Sequence, residues 1–264
     1  MALMSIGSVI QSDKHLMDLF REHGVDVDHP KLVKQQAQAY REHTMRKIQI
    51  AGGGAKYVYF DSLCLWEGKQ RISSSFDQWK PSEQGAKTKM AQIIKNNAMN
   101  TVQGMVSRPR KILMHGKPGT GKTKLALAMM RYLRANEKAT LFVSSTELIH
   151  LFWNSYKYKD AQAHKEKVLD AMKKVDVLIL DDLGTEGGVN SDKPVQNDVQ
   201  QALEQIATAR YDSTNNRVLK STIITTNNTP EQLNRIYNPK LVSRLIPHNL
   251  MFTYDFSELQ DLRE

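Results

Sequence analysis

The stretch RKILMHGKPGTGKTKLALAMMRYLRAN, residues 110–136, constrains the fold more tightly than any other part of the chain. Gly116, Gly121, Lys122 and Thr123 fit the spacing G-x-x-x-x-G-K-[ST], in which glycines let backbone N–H groups curl around phosphate oxygens. Ile112 to Met114 read as a buried strand before the loop, and Leu125, Ala126, Met129, Met130 and Leu133 recur at helical spacing after it. Strand, loop and helix together predict a nucleotide site formed by Gly116, Lys117, Pro118, Gly119, Thr120, Gly121, Lys122, Thr123 and Lys124. Lys122 is expected to reach the β- and γ-phosphates of ATP and the Thr123 hydroxyl to bind Mg2+. The helix N-terminus adds its dipole to the same anion.

Such a loop needs a carboxylate facing it from an adjoining strand. VDVLILDDLG supplies one, because a central parallel strand delivers its terminal acids to the C-terminal edge of the sheet. Asp181 is the expected Mg2+ ligand, directly or through water. Asp182 lies beside the place where an attacking water must be polarised, and Glu186, in DDLGTE, is the rival for that role. KSTIITTNN ends in Asn227, positioned to orient the water or sense the γ-phosphate, with Asn228 as the adjacent alternative. KATLFVSS and NLMFTYDF read as two further strands. Helical patterns cover GAKTKMAQIIKNNAMNTVQGMV, Thr146 to Lys174, about Asn197 to Tyr211, and PEQLNRIYNPKLVSRLI. This alternation implies an α/β fold with a parallel sheet covered by helices on both faces.

Ahead of that unit, Leu16, Met17, Leu19 and Phe20 suggest an amphipathic helix, and a second follows Pro30 until the three glycines of Gly52 to Gly54 stop it. AKYVYFDSLCLWEGK alternates like a short strand or hairpin, and RISSSFDQWKPSEQG reads as a linker. The boundary is placed near Ser73, giving a mainly helical region 1–72 and an ATPase unit 73–264. The single cysteine, Cys64, rules out an internal disulfide and a cysteine-rich zinc site. The start lacks the basic segment of a signal peptide and no apolar run approaches a membrane span, so a cytosolic protein with no membrane partner is expected. The net charge of +9 suits a polyanionic partner.

GKPGTGKT, VDVLILDDLGTE, TIITTNN and KLVSRLI, in that order and at these intervals, resemble the AAA+ ATPases of the DnaC and DnaI type, the bacterial and phage loaders of the replicative helicase. The related IstB-type transposition ATPases share much of the pattern. The resemblance covers residues 73–264. It implies an AAA+ P-loop fold, ATP and Mg2+ as cofactors, ATP-dependent self-association, and docking on a hexameric helicase through the N-terminal region. FDQW resembles the family's entry motif, which makes Phe76 and Trp79 adenine-contact candidates. Arg244, in SRLI, would correspond to the arginine finger that reaches a neighbouring subunit's γ-phosphate, with Arg235 next in line.

Two departures stand against the family pattern. Asp182 occupies a position where many AAA+ proteins carry Glu, one methylene longer. The chain also ends soon after Phe256, so neither a helical lid nor a sensor arginine from one is expected. The insert from Thr146 to Lys174 is where this clade lines a channel with DNA contacts. In LFWNSYKYKDAQAHKEK, Tyr156, Lys157, Tyr158 and Lys159 are the candidates for single-stranded DNA, since rings stack on bases while lysines meet phosphates; Phe152 and Trp153 are expected to pack inward. The alternatives are a transposition helper that binds duplex DNA, and a nucleotide-gated binding module with little turnover.

Overall fold

The structure, a computed structural model, describes residues 56–184 and 197–263. The two N-terminal helices expected before residue 51, the Gly52–Gly54 break and Glu186 lie outside the described residues.

In chain order the strands are β1 (Lys111–His115), β2 (Thr140–Ser144), β3 (Val177–Asp181), β4 (Tyr211–Asp212), β5 (Arg217–Val218), β6 (Ser221–Thr226) and β7 (Thr253–Asp255). The α-helices are α1 (Thr88–Met105), α2 (Lys122–Ala135), α3 (Ser145–Ser155), α4 (Lys159–Lys174), α5 (Asn197–Arg210), α6 (Pro230–Ile236) and α7 (Pro239–Leu245). Five strands form one parallel sheet in the order β2-β3-β6-β1-β7, while β4 and β5 pair as a separate antiparallel hairpin that the sequence did not announce. His115 pairs with Thr226 and Ser144 with Asp181, so the strands end in step and their following residues emerge along one edge.

Alternation along the strands builds two cores. Ile112, Met114, Phe142, Val177, Ile179 and Ile223 face α1 and α2. Leu113, Leu141, Val143, Leu178, Leu180 and Ile224 face α3 to α7. Side chains of a strand alternate between faces, so a slip of one residue would exchange the two sets and lose both cores. α1 reads as a helix because Ala91, Ile94, Ala98, Val102 and Met105 recur every three or four positions and all are buried.

Three local readings of the sequence change. Residues 56–62 are helical, not a strand: Phe60 and Leu63 are buried in the second core while Val58 and Tyr59 remain exposed. An apolar run this short satisfies either periodicity, and packing decides. Leu65 then extends the sheet, its N–H donating to the Phe142 carbonyl at 2.9 Å and its own carbonyl accepting from Ser144 at 3.0 Å. This covers the otherwise free edge of β2, and Trp66 stacks on Phe142 with ring centroids 4.2 Å apart. Residues 56–72 therefore belong to the same compact unit as the ATPase sheet, which begins at Lys56 rather than near Ser73.

The helical segment 230–246 is two helices, because Asn238 caps Leu241 N–H and Pro239 starts a new helix just after α6 ends. Finally, Phe152 packs inward at 3% exposure but Trp153 does not, at 49%. Adjacent helix positions point about 100° apart, and the core takes only one of the two rings.

Candidate functional site

The loop after β1 turns directly into α2, whose N-cap, Gly121, sits at φ 94 and offers no side-chain cap. The first N–H groups of α2 therefore lack a capping side chain and face the loop's concavity. A Cβ at Gly121 would lie 2.8 Å from Trp79 Nε1, which donates to the Gly121 carbonyl at 3.0 Å. Gly119, at φ 75, is closed off from the other side: the Leu262 N–H donates to its carbonyl at 3.0 Å, and a Cβ there would collide with the Asp261 carboxylate. Only glycine fits either position.

Lys122 is the hub of the site. Its ammonium, only 5% of the residue being exposed, donates to the carbonyls of Gly116 at 2.8 Å and Lys117 at 2.6 Å and to Asn227 Oδ1 at 2.8 Å. Burial lowers its pKa from 10.5 to about 8, against the opposing pull of Asp182 and Asp181. Across the cleft, the Thr123 hydroxyl donates to Asp181 Oδ1 at 2.9 Å and the Thr225 hydroxyl donates to the same oxygen at 2.6 Å. Burial, and then repulsion from Asp182, raise the Asp181 carboxyl to about 6 in spite of those two hydroxyls. Burial also raises Asp182, with Lys122 and Arg263 opposing. Asp182 sits at φ 54, in the left-handed region that Asp tolerates better than most residues, and its N–H donates to Thr225 Oγ1 at 2.9 Å.

These groups border a cleft of about 290 Å3 lined in part by Gly119, Lys122, Thr123, Asp182, Asn227 and Arg263. Pro118 and Lys124 join the same lining, whereas the Thr120 hydroxyl is turned inward onto the Lys117 carbonyl at 2.8 Å and Lys117 itself is exposed. Of the paired asparagines, Asn227 reaches Lys122, while Asn228 is buried with its N–H on Thr226 Oγ1 at 3.0 Å. Trp79 is buried beneath the loop and Phe76 is half-buried against the same cluster; neither lines the cleft.

The other candidates lie elsewhere. Arg244 is away from the loop of its own chain, with Nη1 donating to Thr208 Oγ1 at 2.7 Å. Tyr156 and Tyr158 are 60% and 64% exposed between α3 and α4, beside the exposed Lys157 and Lys159. The Tyr156 hydroxyl donates to Asp198 at 2.6 Å, and Lys165 lies 5.8 Å from the Tyr156 ring centre.

Two residues of the site carried no sequence signal. Thr225 looks like an ordinary strand former in TIITT, yet its hydroxyl joins Asp181 to the Asp182 backbone. Arg263, far along the chain from the loop, faces Asp182 only because the tail folds back over Gly119. Among the described residues no cluster of three or more His, Cys, Asp or Glu could hold a metal by itself. The Thr123 and Asp181 pair offers oxygen donors only, which suits a hard divalent cation completed by phosphate oxygens.

The family model for the ATPase family associated with various cellular activities (AAA) matches residues 112–246, about half of the chain. The replicative helicase loader DnaC of Buchnera aphidicola is 28% identical over 128 residues, 48% of this chain and 50% of that protein. The replicative helicase loader DnaC of Escherichia coli is 23% identical over 133 residues, 50% of this chain and 49% of that protein. The chain thus spans about half the length of these relatives. Among solved structures, that of DnaI aligns with a TM-score of 0.47 and 23% identity, covering 63% of this chain and 85% of that one. The DnaC helicase loader aligns with a TM-score of 0.45 and 24% identity, covering 62% and 90%.

Proposed function

Since the chain belongs to the AAA family of ATPases, we propose that it is an ATP-dependent loader of a replicative DNA helicase, acting on single-stranded DNA in the cytoplasm. The observation that carries the ATPase part is the convergence of Lys122, the Thr123 and Asp181 pair, Asp182 and Asn227 at one edge of the sheet. The similarity to DnaC loaders supports the rest.

When bound, ATP with Mg2+ supplies a terminal phosphoryl group open to attack by water. Lys122 exchanges the Gly116 and Lys117 carbonyls for phosphate oxygens, and anionic oxygens favour the ammonium that burial disfavours. Thr123 and Asp181 would hold the ion. Asp182 orients the attacking water, with Glu186 retained as its rival, and Asn227, already bonded to Lys122, holds the water or reads the γ-phosphate. Phe76, outside the cleft's present lining, is retained as the base-side candidate that the resemblance implies, while Trp79 acts by fixing Gly121. Arg244, remote from its own loop, completes the site of a neighbouring subunit in an ATP-dependent oligomer. Turnover is slow and stimulated by DNA or helicase, because Asp182 is a methylene shorter than the Glu common at this position. Tyr156, Lys157, Tyr158 and Lys159 meet the single strand, and residues 1–72 carry the helicase contact.

Capture of a bacterial replicative helicase by the full chain, with and without ATP, tests the loader reading directly. ATP-dependent capture together with a preference for single-stranded over duplex DNA is the expected result. No capture, with duplex preferred, would overturn it in favour of a transposition helper. Capture without any phosphate release in the presence of DNA would leave a nucleotide-gated binding module.

A further inference from the structure

A second cleft, of about 310 Å3, opens at the other end of the sheet. Its walls are the approach to β1, the β4 and β5 hairpin, and the segment before β7, all of which lie at the N-terminal ends of parallel strands. The nucleotide loop leaves the C-terminal end of β1, and a five-residue strand spans roughly 15 Å, so the two clefts are separate places.

The lining is cationic. Arg108, Arg110, Lys111 and Arg217 all contribute to it, and no acid does. Among the described residues none of these four forms an ion pair. The nearest acid on the hairpin, Asp212, feels Arg217, but its carboxylate accepts the N–H groups of Thr214 and Asn215 at 3.0 and 3.2 Å and the Asn215 amide at 2.8 Å. Two rings stand under the cations: the Arg110 guanidinium lies 4.8 Å from the Phe252 ring centre and the Lys111 ammonium 4.7 Å from that of Tyr211. Lys111 is 7% exposed, and its ammonium donates to the Ser243 carbonyl at 3.1 Å. Leu250 and Met251, beside Phe252, are 81% and 70% exposed.

Like charges gathered in a concave site repel one another, and an anion relieves that repulsion, so the lining favours an anionic ligand. Three of the four cations are arginines, whose planar fork matches phosphate oxygens. Rings and an exposed apolar rim suit base faces rather than the carboxylates of an acidic peptide. We infer that this cleft is a second nucleic-acid site, taking the phosphodiester backbone of a strand on Arg108, Arg110, Lys111 and Arg217 with bases against the Leu250 to Phe252 rim. It is distinct from the α3 and α4 surface and stands on its own lining, whatever the fate of the helicase-loader reading.

The test uses the full chain, a fluorescently labelled single-stranded oligonucleotide and a salt titration. Arg108 and Arg217 are exposed, so the double variant Arg108→Ala/Arg217→Ala leaves the cores intact, and unchanged ATP-analogue affinity verifies this. Two lost phosphate contacts should flatten the slope of log K against log salt by about 1.4 and weaken binding on the order of tenfold near 0.1 M salt. Arg108→Lys/Arg217→Lys should keep most of the slope. Parental affinity and slope in the alanine variant would overturn the inference. So would loss of polyglutamate binding with oligonucleotide binding intact, which would make the cleft a seat for an acidic protein segment. Lys157→Ala/Lys159→Ala, run in parallel, reports on the other surface alone: an inert lysine pair with an active arginine pair defeats the α3 and α4 reading and leaves this one standing.

Discussion

At the C-terminal end of the sheet, Lys122, Arg263 and Asp182 line one cleft with opposite signs, with Asp181 bonded to Thr123 of the same lining; at the N-terminal end, four cations line another that has no acid. The first arrangement pushes an acid up to about 6 and a lysine down to about 8, so both groups sit close to neutral pH, as acid–base and metal chemistry require. The second holds no acid: burial lowers Lys111 there to about 8 as well, but no carboxylate joins its lining, so it can grip an anion without a partner acid for metal or acid–base chemistry. The same parallel sheet thus separates a place suited to reaction from a place suited to holding, and the sign mixture of the side chains makes the difference.

Arg244 bears on that division from outside both clefts: it lines neither, and its Nη1 donates to Thr208 Oγ1 at 2.7 Å. If it serves a neighbour's γ-phosphate, Arg244→Ala should lower ATP turnover on the order of a thousandfold under assembly conditions while binding ATP nearly normally. Mixing it with Lys122→Ala should restore part of the activity, since mixed interfaces then pair an intact loop with an intact finger. Normal turnover by Arg244→Ala alone would confine all chemistry to the C-terminal end.

Lys122→Ala should cost roughly 100-fold in affinity for a fluorescent ATP analogue, since hydrogen bonds to ionised groups contribute about 1.5–3 kcal/mol each. Oligonucleotide affinity at the other end should not move. A folded variant with parental nucleotide affinity would remove the loop from the phosphate site.

The mixed-charge cleft also predicts a pH window. Mg2+-dependent nucleotide affinity should fall about tenfold per pH unit as Asp181 protonates below about 6, and should weaken again as Lys122 discharges above about 8. Stability of the nucleotide-free protein runs the opposite way. Asp181 is raised, so its contribution is present below its ordinary 3.8 and lost as pH rises through about 6; Lys122 is depressed, so its contribution is present above 10.5 and lost as pH falls through about 8. Between those values the free protein holds both charges at a cost, and the rise in Tm on adding ATP and Mg2+ should be largest there. A Tm increment that is flat from pH 5 to 9 would show that these two groups do not meet the ligand.

The smallest effect expected is that of Trp79→Phe, which deletes the hydrogen bond to Gly121 while keeping most of the ring. It should lower stability by about 1 kcal/mol, or about 2–4 °C in Tm, and loosen nucleotide binding slightly, leaving the salt dependence of oligonucleotide binding unchanged. An unchanged Tm would mean that the loop keeps its shape without that support.

The two ends were not equally legible in the sequence. GKPGTGKT between an apolar run and a helical repeat, and two acids closing VLILDD, fix strand, loop, helix and carboxylate because each needs particular residue types at fixed spacing. The AAA family match bears out the fold class that those segments imply. The N-terminal end is assembled from YDSTNNRV, SRPRK and PHNLMF, polar or irregular segments with no periodicity, which only the register of the sheet brings together. Thr225 was hidden for a related reason: a threonine in a strand is ordinary, and its hydroxyl matters only because Asp181 and the Asp182 N–H end opposite it. Residues 56–62 were ambiguous because YVYF is apolar at every position, leaving both periods open until Phe60 found the core.

The bond from Leu262 to Gly119 has a practical side. Arg263 borders the nucleotide cleft, so an affinity tag or fluorescent protein fused next to it would compete for the same few ångströms. Reduced ATP affinity in such a fusion would report crowding rather than chemistry. Deleting the last four residues would free Gly119 from Asp261 and Leu262, and a loop that then exchanged its amide hydrogens faster would reveal how much of its rigidity is borrowed from the tail.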